Sequence, residues 1–121
     1  MARILLVDDD ELIRRTVHPM LSREGHEVVE LSTGREAVQA AAEERFDLAI
    51  VDVIMPEKGG LETTLELRQA LATLPVILIT GKVTVDTDVF QRLSTSLGAR
   101  TVLLKPFTAQ QLLAAVRRAL S

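Results

Sequence analysis

FDLAIVDVIMP, which runs from Phe46 to Pro56, is the part of the chain that gives the strongest indication of its fold. Within it an apolar run at positions 48–51 leads directly into Asp52. A short apolar run is typical of a buried strand, and such a strand would deliver the Asp52 carboxylate to its own carboxyl end. An aspartate there can equally be a turn residue or the N-cap of a following helix. This segment alone therefore leaves a site role and a structural role about equally open.

The same pattern of an apolar run ending in a polar group recurs along the chain. The further examples are positions 4–7 before Asp8 and Asp9, positions 76–79 before Thr80, and positions 102–104 before Lys105. Coincidence is a poor explanation for a pattern repeated at every predicted buried strand. We therefore expect a functional site built from these polar ends.

Length and composition bound the class of protein. A chain of 121 residues predicts one domain, 1–121, large enough to bury roughly two thirds of its unfolded surface. Cysteine is absent, which excludes disulfides, thiolate metal sites and cysteine nucleophiles. The opening MARILLVDDD has too short an apolar run for a signal peptide or a membrane span. We expect a cytoplasmic protein with no membrane partner.

Charge gives no reason to expect direct nucleic-acid binding. The net charge is -3, and the only aromatic residues are three phenylalanines, which leaves little material for stacking bases. Two basic pairs, Arg14–Arg15 and Arg117–Arg118, fall on predicted helices, where solvent-exposed helix faces explain them.

Hydrophobic periodicity predicts strands alternating with helices. The predicted strands are 3–7, 26–31, 48–52, 75–80 and 101–105, and the predicted helices are 11–24, 34–44, 61–71, 86–97 and one that begins at 108. Gly25 should close the first helix, which Pro19 should bend, and Thr108 with Gln111 forms a capping-box pattern. The helix at 86–97 has the weakest periodicity.

This alternation predicts an α/β fold, a single doubly wound (βα)5 domain of the flavodoxin-like kind. With strand order 2-1-3-4-5, ligands bind where the order reverses, between the first and third strands. Asp8, Asp9 and Asp52 would meet there, with Thr80 and Lys105 on the neighbouring strand ends.

Three carboxylates about 4 Å apart repel by roughly 4 kcal/mol per pair at an effective dielectric constant of 20, so the cluster needs a cation or must keep protons. Oxygen ligands suit Mg²⁺, with Mn²⁺ as the other option. The Lys105 ammonium can pair with a carboxylate or a phosphoryl oxygen, and the Thr80 hydroxyl can donate to another. Together with Asp52 as a nucleophile, these groups predict a phosphoryl-transfer site.

Several motifs carry a family resemblance when taken in order: LLVDDD, LAIVDVIMP followed by Gly60, LITG around Thr80, and LLKPF around Lys105. Over essentially its whole length the chain resembles the receiver domain of two-component response regulators. The resemblance implies that Asp52 is the phosphoacceptor, that Asp9 binds Mg²⁺ directly and Asp8 through water, and that the main-chain carbonyl of Ile54 completes the metal site.

The resemblance also implies roles for the neighbouring groups. Lys105 would pair with the phosphoryl group and Thr80 would bond it after transfer, while a small Gly81 leaves its path open. The Lys105–Pro106 bond would be cis. Ile54 should shield the acyl phosphate from water, whereas Lys82 could act in either direction.

The partners implied by the resemblance are a sensor histidine kinase or a histidine phosphotransfer protein, and an unidentified downstream protein. Phosphorylation would change the face formed by helix 86–97, the fifth strand and the last helix, through which a homodimer could also form. The chain would be a stand-alone receiver or the amino-terminal receiver of a longer regulator.

Three features depart from the family pattern. Val102 occupies the position of the usual aromatic switch, the segment containing VTVDTD is longer than usual, and Pro19 lies in the helix on which receivers dock their phosphodonor. Because valine has no ring to swing, we expect the loop 81–88 to carry the two states instead.

Three other functions stay open at this point. A receiver-like domain could bind partners without phosphorylation, which Val102 would suit. A small phosphatase could use Asp52 on an external substrate, although the sequence offers no lid or second acid. A flavin-binding electron carrier shares the predicted fold, but its phosphate loop would replace the three acids after the first strand.

Overall fold

The computed structural model describes residues 1–55, 58–81, 95–96 and 99–121. Its strands are β1 (Arg3–Val7), β2 (Glu27–Leu31), β3 (Leu48–Asp52), β4 (Val76–Thr80) and β5 (Ala99–Leu104). Its helices are α1 (Glu11–Ser22), α2 (Gly34–Glu43), α3 (Gly60–Ala70) and α4 (Ala109–Leu120). The helix predicted at 86–97 lies outside the described residues, apart from Thr95 and Ser96, which are helical.

The strands form one parallel sheet in the order β2-β1-β3-β4-β5, so the predicted topology is confirmed. Val7 pairs with Val51, and Asp52 pairs with Ile79. The three central strands therefore end at nearly the same level. Asp8 follows Val7, and Asp52 follows Val51. The two acids therefore lie side by side at the same edge of the sheet.

Each face of the sheet is covered by helices, as a doubly wound fold requires. Alternate strand residues point to opposite faces, so β1 sends Ile4 and Leu6 to one side and Leu5 and Val7 to the other. The first side packs against α1 and α4, and the second packs against α2 and α3. The central strands β1, β3 and β4 are buried almost completely, which explains their continuous apolar sequences.

The predicted helix signals are also confirmed. Gly25 has φ of 88°, its N–H donates to the carbonyl of Ser22, and the N–H of His26 donates to the carbonyl of Leu21. These are the two bonds of a Schellman motif. Thr108 and Gln111 form both bonds of a capping box at the start of α4.

The first helix differs from its predicted pattern at one position. Leu12 shares the helical spacing of the apolar residues, yet 70% of it is exposed, whereas Val17 and Leu21 are fully buried. Leu12 lies in the first turn of α1, next to the N-cap residue Asp10. In the described part of the chain, no helix combines the length and the apolar character needed to cross a membrane.

Candidate functional site

Asp8 and Asp52 form the buried part of the candidate site. They lie at the carboxyl ends of β1 and β3, with 0% and 5% of their surface exposed. The Lys105 ammonium lies 3.3 Å from Asp8 Oδ2 and 3.3 Å from Asp52 Oδ1. Among the residues that the structure describes, one cation is thus shared between two buried carboxylates, and one of the two negative charges has no cationic partner of its own.

Asp9 supplies the exposed part of the site. A carboxylate oxygen from each of Asp8, Asp9 and Asp52 lies within 4.8 Å of the others. The second oxygen of Asp8 accepts a hydrogen bond of 2.9 Å from the main-chain N–H of Asp10, whose own side chain caps α1. The predicted convergence of the three acids is therefore confirmed, with the central acid of the LLVDDD motif facing solvent.

Burial dominates the electrostatics of the cluster. It raises the pKa of Asp52 to about 6, and the charge of Asp8 adds to the rise while Lys105 opposes it. Burial likewise raises the pKa of Asp8, against the hydrogen bond from Asp10 and the charge of Lys105. For Lys105, burial favours a lower pKa, but the charges of Asp8 and Asp52 outweigh it and raise the pKa.

The segment after β3 returns the chain to that strand, so that the start of α3 packs against the backbone at Asp52 and Val53. The N–H of Gly60 donates to the carbonyl of Val53 at 2.8 Å. A Cβ at Gly60 would lie 2.3 Å from the Asp52 carbonyl oxygen and 2.6 Å from the Val53 Cα, so only glycine fits. Ile54 lies in this segment with 64% of its surface exposed. The metal-binding role of its carbonyl stays a prediction.

Thr80 and Lys105 lie on the neighbouring strand ends, as predicted. Thr80 is buried at the end of β4, and its carbonyl accepts a hydrogen bond of 2.8 Å from the N–H of Lys105. The Lys105–Pro106 peptide bond is cis, which also agrees with the prediction. A Cβ at Gly81 would lie 3.7 Å from the Lys105 Cδ, an ordinary contact. Space near the lysine therefore does not by itself require glycine at this position.

Of the residues predicted to take part in relaying the phosphorylated state, Val102 and Gly81 are described by the structure. Val102 lies on β5, partly buried, and packs against the core cluster that contains Leu78. The loop expected to carry the two states, 81–88, lies outside the described residues except for Gly81, as does Lys82.

Arg14 is a site neighbour that the sequence interpretation missed. We predicted that both members of the Arg14–Arg15 pair lie on a solvent-exposed helix face, and this was wrong for Arg14. Its side chain is 16% exposed, pairs with Glu30 and donates to the main-chain carbonyl of Asp8. Arg15, 74% exposed and paired with Glu11, agrees with the prediction. No local signal separates the two arginines, because the difference depends on where α1 packs against β1 and β2.

The donor set fits a hard divalent cation. The group consists of three carboxylates, so all the side-chain ligands that it offers are oxygen atoms. One carboxylate is exposed and two are buried, so an ion could enter from solvent and relieve the repulsion between the buried charges. This composition suits Mg²⁺ and Mn²⁺ better than the softer transition metals.

A protein-family model and the sequences of curated proteins point to the same family. The family model described as response regulator receiver domain matches residues 4–117. The alkaline phosphatase synthesis transcriptional regulatory protein PhoP of Bacillus subtilis is 35% identical over 115 residues, covering 95% of this chain and 47% of that protein. The transcriptional regulatory protein CpxR of Klebsiella pneumoniae is 38% identical over 117 residues, covering 97% and 48%. The chain spans about half the length of these curated relatives.

Solved structures of similar length also match. The chemotaxis response regulator CheY4 of Vibrio cholerae has a TM-score of 0.89 and 33% identity, with 98% of both chains covered. A CheY-like receiver domain protein from Methanospirillum hungatei has a TM-score of 0.90 and 29% identity, covering 99% of this chain and 94% of that one. The similarity therefore extends from the sequence to the arrangement of the whole domain.

Proposed function

The chain belongs to the response regulator receiver domain family, and on that basis we propose that it is a phosphorylation-dependent switch whose phosphoacceptor is Asp52. The family is one of signalling domains and not of conventional enzymes. The observation that carries the proposal is the pair of 3.3 Å contacts from the Lys105 ammonium to Asp8 and Asp52. They put a cation and a nucleophilic carboxylate at one point, as phosphoryl transfer requires.

The proposed reaction transfers a phosphoryl group from a phosphohistidine of a sensor kinase or a phosphotransfer protein. An oxygen of Asp52 attacks phosphorus, the P–N bond breaks, and the imidazole leaves with the electron pair. The Lys105 ammonium moves from the carboxylate to a phosphoryl oxygen, and the Thr80 hydroxyl donates to another. The main-chain hydrogen bond from the Lys105 N–H to the Thr80 carbonyl holds the two strand ends next to each other.

We propose that Asp9 and Asp52 bind Mg²⁺ directly, Asp8 through water and Ile54 through its carbonyl, with Mn²⁺ as a substitute. When bound, the ion would offset the charge of the carboxylates and of the phosphoryl oxygens. The exposed position of Asp9 agrees with a ligand at the open side of the site. Both oxygens of Asp8 already accept contacts, one from the Asp10 N–H and one from Lys105, which supports its proposed role through water.

The output of the switch is a separate part of the proposal. PhoP and CpxR are transcriptional regulators about twice as long as this chain, whereas CheY4 matches it from end to end. We propose that the receiver controls a protein partner or an attached output domain and does not itself contact nucleic acid. Arg117 and Arg118 are exposed on α4, but a net charge of -3 gives no overall electrostatic attraction to nucleic acid.

The proposal is tested by phosphorylation in vitro. Acetyl phosphate with Mg²⁺ should add one phosphoryl group to the wild-type protein, detected by intact mass, and none to Asp52→Asn. Asp47→Asn is the matched control, because Asp47 precedes the same strand at the opposite end and is exposed. Equal labelling of wild type and Asp52→Asn would refute the assignment. Labelling that persists in EDTA would refute the role of the metal.

A further inference from the structure

We infer that Arg14 is a positioning residue for the proposed metal site and acts by fixing the peptide that joins Asp8 to Asp9. The inference rests on the proposed function, since the site it supports is the one assigned above to Mg²⁺. Its basis is a set of contacts that lies next to the acidic cluster without belonging to it.

The Arg14 guanidinium joins three elements of the fold. From α1, its Nη1 donates to the main-chain carbonyl of Asp8 at the end of β1. Its Nε lies 3.4 Å from Glu30 Oε1 on β2. The other oxygen of Glu30 lies 2.5 Å from His18 Nδ1, one turn further along α1. Only an arginine has the planar set of donors that reaches both acceptors from one position.

The carbonyl of Asp8 matters because it belongs to the peptide that leads into Asp9. The N–H of Asp8 still pairs with the Leu31 carbonyl at 3.1 Å, and beyond that bond the chain leaves the sheet. The carbonyl of Asp8 and the nitrogen of Asp9 are parts of one planar peptide unit. Fixing the oxygen of that unit therefore fixes the position of the Asp9 Cα, from which the Asp9 side chain departs.

Asp9 depends on this backbone constraint more than Asp8 does. The Asp8 carboxylate is held by Lys105 and by the N–H of Asp10. Within the described part of the chain, no hydrogen bond is made to the Asp9 carboxylate, which is exposed. Its approach to Asp52 is therefore set by its own backbone. A displaced Asp8–Asp9 peptide would move a metal ligand while leaving the buried core intact.

The experiment measures Mg²⁺ affinity directly by isothermal titration calorimetry. Arg14→Met should weaken binding about tenfold, the size of effect typical when a partner that orients metal ligands is removed. Arg14→Lys keeps the positive charge but not the fork, and should remain weakened severalfold. Arg15→Met removes the same charge from the neighbouring exposed residue and should stay within about twofold of wild type. Far-UV circular dichroism confirms that each variant is folded.

Labelling by acetyl phosphate provides a second measurement that a general structural defect would not reproduce. For Arg14→Met, the Mg²⁺ concentration at half-maximal labelling should rise by the same factor as the dissociation constant, while the yield at saturating Mg²⁺ should equal that of wild type. If Arg14→Met does not fold, Glu30→Gln replaces it, with a smaller weakening expected because Arg14 loses only its charged acceptor.

The outcomes separate this inference from the function on which it rests. Unchanged affinity in Arg14→Met, or in Glu30→Gln if that variant is needed, would overturn the inference. Full recovery in Arg14→Lys would overturn the role of the planar fork, because a single cationic donor to the Asp8 carbonyl would then suffice. Mg²⁺ binding without labelling of the wild type would refute the phosphoryl-transfer proposal and leave the positioning role to be decided by the affinities. Absence of Mg²⁺ binding in the wild type would overturn both.

Discussion

Replacing Asp52 with asparagine should make the metal-free protein more stable, although Asp52 is the residue on which the proposed function depends. The carboxylate is almost fully buried beside Asp8, and one Lys105 serves both acids. Burial and the neighbouring charge raise the pKa of Asp52 from its ordinary 3.8 to about 6. The folded state therefore disfavours the charged form, and asparagine removes that charge at nearly the same volume.

The size and sign of the effect are given by proton linkage. At pH 7.5 the gap between the two pKa values corresponds to about 3 kcal/mol of lost stability in the wild type, since each pKa unit is worth about 1.4 kcal/mol. Because the folded pKa is the higher one, the loss develops as pH rises from about 4 to about 6. Near pH 4 the folded wild type holds the proton and the unfolded chain holds it in part, so the loss falls below about 1 kcal/mol. Asp52→Asn should thus gain up to about 3 kcal/mol at pH 7.5 and much less at pH 4.

Urea unfolding in EDTA, followed by circular dichroism, measures this gain, since the chain has no Trp or Tyr for fluorescence. Asp47→Asn serves as the control and should change little at either pH, because Asp47 is exposed and the asparagine Oδ1 can still accept the hydrogen bond from the Arg3 N–H. Adding Mg²⁺ should stabilise the wild type more than the variant and narrow the difference. Equal stability of wild type and Asp52→Asn at pH 7.5, or a gain that does not depend on pH, would refute the electrostatic reasoning.

Two further predictions concern the segment after β3. Gly60→Ala should destabilise the protein by about 1–3 kcal/mol in urea unfolding, because its Cβ would overlap the backbone at Asp52, whereas Gly59→Ala, with its nearest contact at 3.5 Å, should cost less; equal effects would contradict the steric explanation. Ile54→Asn should shorten the lifetime of phosphorylated protein, because the exposed isoleucine can neither orient water nor accept a proton. A lifetime equal to or longer than that of the wild type, followed by intact mass after removal of the phosphodonor, would contradict that prediction.

Stability and function make opposite demands on the acidic cluster. Three carboxylates at one edge of a sheet cost free energy in the absence of a cation, and the same repulsion is what a bound cation would relieve. The unfavourable pKa shifts of Asp8 and Asp52 are therefore what a cation-binding site would give, and not what a stabilising ion-pair network would give. Calorimetry measures the free energy of Mg²⁺ binding, and urea unfolding measures how much the repulsion lowers the free energy of unfolding without the ion.

The order of the strands in the sheet and the meeting of Asp8, Asp9 and Asp52 at one edge could be predicted from the amino-acid sequence alone. Buried parallel strands need continuous apolar runs, so Leu48–Asp52 could be recognised without knowledge of its neighbours. The ends of α1 and α4 were equally predictable, because Gly25 and the Thr108–Gln111 pair act on backbone groups only a few residues away. The right-handed crossover rule then predicts a parallel sheet, in which the polar ends of the strands lie at the same edge.

The burial and the contacts of the side chains around the site depended instead on how the elements pack in three dimensions. Adjacent acids differ, with Asp8 buried and Asp9 exposed. The adjacent arginines also differ, because the side chain of Arg14 is 16% exposed and that of Arg15 is 74% exposed. Gly60 is required by backbone atoms of Asp52 and Val53, and Arg14 reaches a carbonyl on one strand and a carboxylate on another. Local patterns depend on interactions within a few residues, whereas these contacts depend on the angle and depth at which a helix packs on the sheet, which the whole core fixes together.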